Sequence, residues 1–171
     1  ASSRRSMGAI RTDGTLWTWG GNYAGRCGVN IGPAGGNGYF TSPKQIPGTS
    51  WSKVEVAGYI NMFLRTDGTL WGAGSNGNGG LGQNNTTQYS SPVQIPGTTW
   101  TDICGTSRDE QGFIGLKTDG TLWSWGEDYN GSLGLNSNTK YSSPVQIPGT
   151  TWSAVDMGHG FRTPVLATKT D

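Results

Sequence analysis

The hydrophobic pattern of the chain is written in short stretches with a period of two. Trp51-Ser52-Lys53-Val54-Glu55-Val56-Ala57 alternates, which predicts a strand with Trp51, Lys53 and Glu55 on one face and Ser52, Val54 and Val56 on the other. Ser42-Pro43-Lys44-Gln45-Ile46-Pro47-Gly48 reads as a short strand closed by Pro-Gly. At Asp13-Gly14, Asp67-Gly68 and Asp119-Gly120, flanking Thr residues followed by Leu-Trp predict tight hairpins whose second strands carry large apolar side chains. The expected turn is the two-residue type I′ loop, in which Asp and Gly both take positive φ.

These stretches recur. Arg11-Thr12-Asp13-Gly14-Thr15-Leu16-Trp17, Arg65-Thr66-Asp67-Gly68-Thr69-Leu70-Trp71 and Lys117-Thr118-Asp119-Gly120-Thr121-Leu122-Trp123 are near copies, and Lys169-Thr170-Asp171 begins a fourth. Ser90 to Trp100 and Ser142 to Trp152 are identical in sequence. A period of about 50 residues marks one supersecondary unit copied in tandem. Four short strands are predicted per period: before Asp-Gly, after it, at Pro-x-Gln-Ile-Pro, and after the Trp that follows. That is the signature of a β-propeller blade, so the predicted fold is all-β, with three complete repeats. The repeats fall at about 7–60, 61–112 and 113–164 after a lead-in or linker at 1–6, and a further repeat starts at 165–171. Propellers close with about four to eight blades. The expectation is therefore a partial ring, completed by further blades of a longer chain or by association of chains, or an open array whose edges a partner covers.

Composition narrows the chemistry. The 171 residues are 32% hydrophobic and 13% charged, with 30 glycines, eight prolines, eight tryptophans and a formal net charge of +1. Many turns around an aromatic core suit this composition, and disorder does not. Twelve Lys and Arg are spread among eleven Asp and Glu; without a basic stripe, nucleic acid is not an expected partner. No apolar run approaches the roughly 20 residues of a membrane span, so membrane insertion is not expected either. Cys27 falls at the repeat position of Leu81 and Leu133, which predicts a small core hydrophobe, and Cys104 falls at that of Glu55 and Asp156. Two different places in the unit argue against a disulfide.

The motifs Thr-Asp-Gly-Thr-Leu-Trp-x-Trp-Gly, Asn130-Gly131-Ser132-Leu133-Gly134, Ser-Pro-x-Gln-Ile-Pro and the spaced Trp-x-x-Val resemble the repeat of the regulator of chromosome condensation family. The resemblance covers the chain after residue 6 and implies a propeller, seven-bladed in that family. The family's founding activity, nucleotide exchange on the small GTPase Ran with docking on chromatin, is not implied residue by residue: the segment that wedges into the GTPase and a basic tail have no counterpart. The Trp- and Gly-rich wording is more similar to repeats of bacterial surface proteins and of bacteriophage structural proteins.

No catalytic constellation emerges. His159 is the single histidine, in a Gly-flanked loop, and reads as a loop residue rather than a ligand or base. The recurring Asp13, Asp67 and Asp119 read as turn residues. Glu127-Asp128-Tyr129-Asn130-Gly131 gathers oxygen atoms that could suit calcium, but its counterparts at 21–25 and 75–79 have no carboxylate. Trp17, Trp71 and Trp123 read as blade-packing residues rather than sugar platforms. No catalytic residue, metal or cofactor is therefore expected. Binding is expected in the loops that do not repeat, with Arg108, Asp109, Glu110, His159, Phe161 and Arg162 as candidates. The expected function is a non-enzymatic structural or adhesive interaction surface, in a virion or on a bacterial exterior, otherwise in the cytoplasm. Its expected partners are protein subunits of its own or a larger assembly, or a surface glycan. The alternatives are a guanine-nucleotide exchange factor and a carbohydrate-binding propeller.

Overall fold

A computed structural model describes residues 6–31, 38–106, 110–157 and 165–170. Thirteen strands run through them: β1 (Ser6–Ile10), β2 (Leu16–Gly21), β3 (Tyr39–Ile46), β4 (Trp51–Ala57), β5 (Ile60–Arg65), β6 (Leu70–Gly74), β7 (Tyr89–Gln94), β8 (Trp100–Gly105), β9 (Gly112–Lys117), β10 (Leu122–Gly126), β11 (Tyr141–Ile147), β12 (Trp152–Met157) and β13 (Val165–Lys169). Every pairing is antiparallel between consecutive strands. The sheets are β1-β2-β3, β4-β5-β6-β7, β8-β9-β10-β11 and β12-β13. This is the all-β architecture of four-stranded blades that the repeat predicts. The sheets take their phase from the Trp strand, so the two complete blades run from Trp51 to Gln94 and from Trp100 to Ile147.

Apolar side chains on the two faces of each sheet meet those of the next sheet. Between the first two sheets Leu16, Ile46, Trp51, Phe63 and Ala73 form one cluster. Between the two complete blades lies the largest, which includes Leu64, Leu70, Leu81 and Ile95 from one side and Trp100, Ile103, Phe113 and Trp125 from the other. Cys104, Ile114, Leu116, Leu122 and Val155 form the third. Each buried Leu, Ile or Phe contributes about 1.5–3 kcal/mol, so the walls between blades hold the array together. Cys27 is buried as expected for a small hydrophobe, and Cys27 and Cys104 are both free thiols.

Two local expectations are corrected. The alternation of the Trp strand is interrupted just after the indole: Trp51 pairs with Arg65, but Lys53 pairs with Leu64, so Ser52 is an extra residue. The same bulge follows Trp100 and Trp152. A bulge turns one residue out of register and reverses the faces beyond it. Trp51 therefore shares a face with Val54 and Val56, not with Lys53 and Glu55.

The Asp-Gly loop is not type I′. Gly14, Gly68 and Gly120 have φ of 77°, 78° and 74°, while none of the preceding Asp residues has positive φ. Gly14 N–H donates to Arg11 O and Arg11 N–H to Thr15 O, each at 2.9 Å. This is the three-residue hairpin loop, a type I turn followed by a left-handed Gly.

The linker before each Trp joins neighbouring blades through main-chain atoms. Trp51, Trp100 and Trp152 N–H donate to Gly14, Gly68 and Gly120 O of the preceding hairpin at 3.1, 3.0 and 3.0 Å. The residue just before them accepts from the following hairpin: Thr66 N–H to Ser50 O, Thr118 N–H to Thr99 O and Thr170 N–H to Thr151 O, at 2.8, 2.9 and 2.8 Å. Reaching both tips forces Ser50, Thr99 and Thr151 to φ of 71°, 70° and 69°, which for a β-branched residue costs about 1–2 kcal/mol.

Candidate interaction surface

The strands end at two chemically different faces. At one end lie the Asp-Gly tips. Asp13 Oδ1 accepts from Thr15 Oγ1 at 2.6 Å and from Thr15 N–H at 3.0 Å, and Thr15 Oγ1 accepts from Trp17 Nε1 at 3.0 Å. The same relay links Asp67, Thr69 and Trp71, and Asp119, Thr121 and Trp123. The Thr hydroxyl and then the Thr amide hold each Asp carboxyl below its ordinary value, although the groups are exposed. A cation completes the unit. Arg65 lies over Trp51 and Trp71 at 4.6 and 5.5 Å, and Lys117 over Trp100 and Trp123 at 4.7 and 4.3 Å. Trp17, Trp71 and Trp123 are thus held at their edges by Thr, and Trp71 and Trp123 also pack against the cores between blades, as expected.

The other end is built of loops. A buried amide organises each Gly-rich loop: Asn22 Nδ2 donates to Ile31 O at 2.7 Å while its Oδ1 accepts from Cys27 N–H at 3.0 Å. Asn76 does the same with Asn85 O and Leu81 N–H. In the third copy the residue is Asp128, whose Oδ1 accepts from Leu133 N–H at 3.3 Å. Neighbouring Glu127 faces Lys140 at 3.7 Å, and Lys140 also donates to Asn78 at 2.7 Å. Among the described residues no three His, Cys, Asp or Glu side chains gather as ligands for a metal.

Arg26 is the residue at this end that sequence reasoning missed. It is fully buried and donates through Nε to Gly21 O at 2.8 Å and through Nη1 to Gly58 O at 2.9 Å. One blade's loop is thereby tied to the β4–β5 turn of the next. Its guanidinium lies 5.6 Å from the ring of Tyr59, which meets Tyr23 at 4.7 Å. Tyr23 and Tyr59 are 44% and 41% exposed, and Tyr129, at the repeat position of Tyr23, is 48% exposed. The signal available in the sequence was a charged residue at the place where the other copies have Gly80 and Ser132.

Of the loop candidates, Glu110 lies at this same end and lines a cavity of about 590 Å³ with Thr106 and Tyr129. Arg108, Asp109, His159, Phe161 and Arg162 lie outside the described residues. A further charged group sits on the first strands of the blades. Lys53 pairs with Asp102 across neighbouring sheets. Burial, with Asp102 nearby and against the pull of Lys53, pushes the Glu55 carboxyl up. Burial, then Glu55, raises the Cys104 thiol far above its ordinary value, so it is an unreactive neutral group.

Blades of four antiparallel strands, stacked through indole-rich walls and joined tip to tip, make this chain an arc of a β-propeller. A family model described as "Regulator of chromosome condensation (RCC1) repeat" matches residues 119–161. The chain is 28% identical over 152 residues to the RCC1 domain-containing protein RUG3, mitochondrial, of Arabidopsis thaliana, across 86% of this chain and 34% of that one. Its fold matches Prp20p of Saccharomyces cerevisiae with a TM-score of 0.82 at 19% identity, over all of this chain and 43% of the other. Human WBSCR16 matches with a TM-score of 0.70 at 21% identity, over 86% of this chain and 37% of that one. The chain thus spans about a third of the curated relative and about two-fifths of the solved structures.

Proposed function

We propose that the chain is a non-enzymatic propeller module that offers the loop end of its blades to other proteins, as a structural or adhesive component of a virion or a bacterial exterior. One observation carries this reading. The repeated Asp-Thr-Trp relays at the tip end are closed within each hairpin, whereas the loop end exposes Tyr23, Tyr59 and Tyr129. Tyr is enriched at protein interfaces because one flat side chain brings apolar area and a hydroxyl at little entropic cost. The test is a surface-binding measurement with the immobilised chain and solubilised virion or envelope proteins of the source. Binding lost in Tyr23→Ser/Tyr59→Ser, with an unchanged melting temperature, is the expected result. Equal binding by the variant, or none by either, overturns the reading.

A second reading has its own support. The solved structure of Prp20p is described together with its binding to Gsp1p and histones, so exchange on a small GTPase is the alternative function of such a fold. Release of labelled GDP from a small GTPase separates the two: acceleration of tenfold or more by this chain replaces the structural reading with the exchange-factor one.

A further inference from the structure

The basic residue of the tip end is used in two ways. In the first hairpin Arg11 faces Asp13 of its own turn at 3.8 Å. In both complete blades the equivalent residue is stacked on indoles: Arg65 lies over Trp51 and Trp71, and Lys117 over Trp100 and Trp123. The turn carboxylates do not follow it there. Asp67 and Asp119 are engaged by their own Thr amide and hydroxyl, and Arg65 acts on the Asp67 carboxyl only as a lesser influence after Thr69. Among the described residues neither Arg65 nor Lys117 is in an ion pair.

Indole donors lie beside these cations. Trp51 and Trp100 are 4% and 2% exposed, and the Nε1–H of each finds no acceptor among the described residues. The Nε of Arg65 is likewise buried without one. Trp71 and Trp123 differ, because Thr69 and Thr121 accept from their Nε1. Cation and indole converge on the Pro-Gly turn that precedes each Trp. A methyl group built on Gly48 would meet Arg65 Nη2 at 2.6 Å and Trp51 Nε1 at 3.7 Å, and one on Gly97 would meet Lys117 Nζ at 3.4 Å and Trp100 Nε1 at 3.6 Å. In the first of these two blades Trp51, Arg65 and Trp71 line a cavity of about 180 Å³ with Pro47 and Pro92.

Such a slot offers positive charge and hydrogen-bond donors, so its complement is an anion that brings only acceptors. We propose that the Trp51-Arg65-Trp71 and Trp100-Lys117-Trp123 slots each receive a carboxylate side chain from an acidic polypeptide segment. A planar carboxylate suits the fork of a guanidinium, and its charge strengthens every hydrogen bond it accepts. The indole and proline walls hold water off the pair, which makes the attraction stronger than on an open surface. Size selects the source of the carboxylate: a cavity of about 180 Å³ is smaller than the roughly 300–1,000 Å³ of small-molecule sites and admits one side chain. This surface lies at the opposite end of the blades from Tyr23 and Tyr59, so it does not depend on the role given to the loops.

The test follows the indole N–H groups of the whole chain by heteronuclear NMR during titration with an end-blocked hexaglutamate peptide. The Trp51 and Trp100 Nε1–H resonances are expected to move downfield saturably, while those of Trp71 and Trp123, already held by Thr, stay in place. Arg65→Gln is expected to weaken the response at Trp51 about tenfold and leave Trp100 responding, and Lys117→Gln to do the reverse. Each slot thereby reports that the variant in the other is folded. No saturable shift at either indole overturns the proposal, as does an equal response to a hexaglutamine peptide. Saturation by inorganic phosphate or glucuronate at a lower concentration than the peptide needs also overturns it, because the ligand is then not a polypeptide carboxylate.

Discussion

The two ends of the blades solve the same problem by different means. At the tip end, each hairpin uses the same Asp, Thr and Trp, and each hydrogen bond of the relay closes between residues two apart. At the loop end, contacts reach between blades and the residues change from copy to copy: Arg26 where the others have Gly80 and Ser132, Asn22 and Asn76 against Asp128. Locally closed hydrogen bonds can be copied without reference to a neighbour. Side-chain contacts across blades must be fitted one at a time, and so they differ, while the main-chain joints between blades repeat.

This contrast can be broken experimentally. The largest effect is expected at the loop end of the second wall. Trp125→Ala removes a fully buried indole and its hydrogen bond and should cost about 3–5 kcal/mol in urea unfolding. Arg26→Ala strips two buried carbonyls of a charged donor and should cost about 2–3 kcal/mol by the same measurement. At the tips, Thr121→Val breaks the relay between Asp119 and Trp123 at about 1 kcal/mol. Thr69→Val should add to it independently because the two relays share no partner. A double variant whose cost differs from the sum by more than about 0.5 kcal/mol would show that the tips are coupled after all.

A pH titration sharpens the same point. The three turn aspartates have lowered carboxyls, so their contribution is present above the ordinary value of 3.8 and is lost as pH falls below it. Asp13→Asn/Asp67→Asn/Asp119→Asn should flatten the acid limb of the stability curve. Glu55 acts oppositely: its carboxyl is raised, so its contribution is present below about 4.5 and is lost as pH climbs through its folded value. Glu55→Gln should therefore reduce the decline on the neutral side. Smallest of all, Tyr23→Ser/Tyr59→Ser should leave stability within about 0.5 kcal/mol of the parent.

The repeat, the four strands per blade and the indole walls were legible because they follow from period-two alternation and from residues written several times over. The turn type was not. Asp-Gly suits both a two-residue and a three-residue loop, and the choice is made by Thr15, two positions on, whose amide and hydroxyl draw the Asp carboxylate into a cap. The bulge after Trp51 was hidden for a similar reason: alternation cannot show an extra residue that only the pairing with Arg65 and Leu64 reveals. At the loop end, Gly25-Arg26-Cys27-Gly28 reads as a loop, and nothing local announces that Arg26 is buried against Gly58 of the next blade. Glu110, expected in a loop that does not repeat, lines a cavity with Thr106 and Tyr129 that no local pattern in the sequence announces.

The joint between blades has a genetic corollary. Because Trp51, Trp100 and Trp152 are fastened to the preceding hairpin by amide and carbonyl groups alone, any in-frame duplication of one unit arrives with a matching seam already in place. Unequal recombination between such near-identical segments can lengthen or shorten the array without a second, compensating mutation. Identical wording from Ser90 to Trp100 and from Ser142 to Trp152 is the mark such a history leaves.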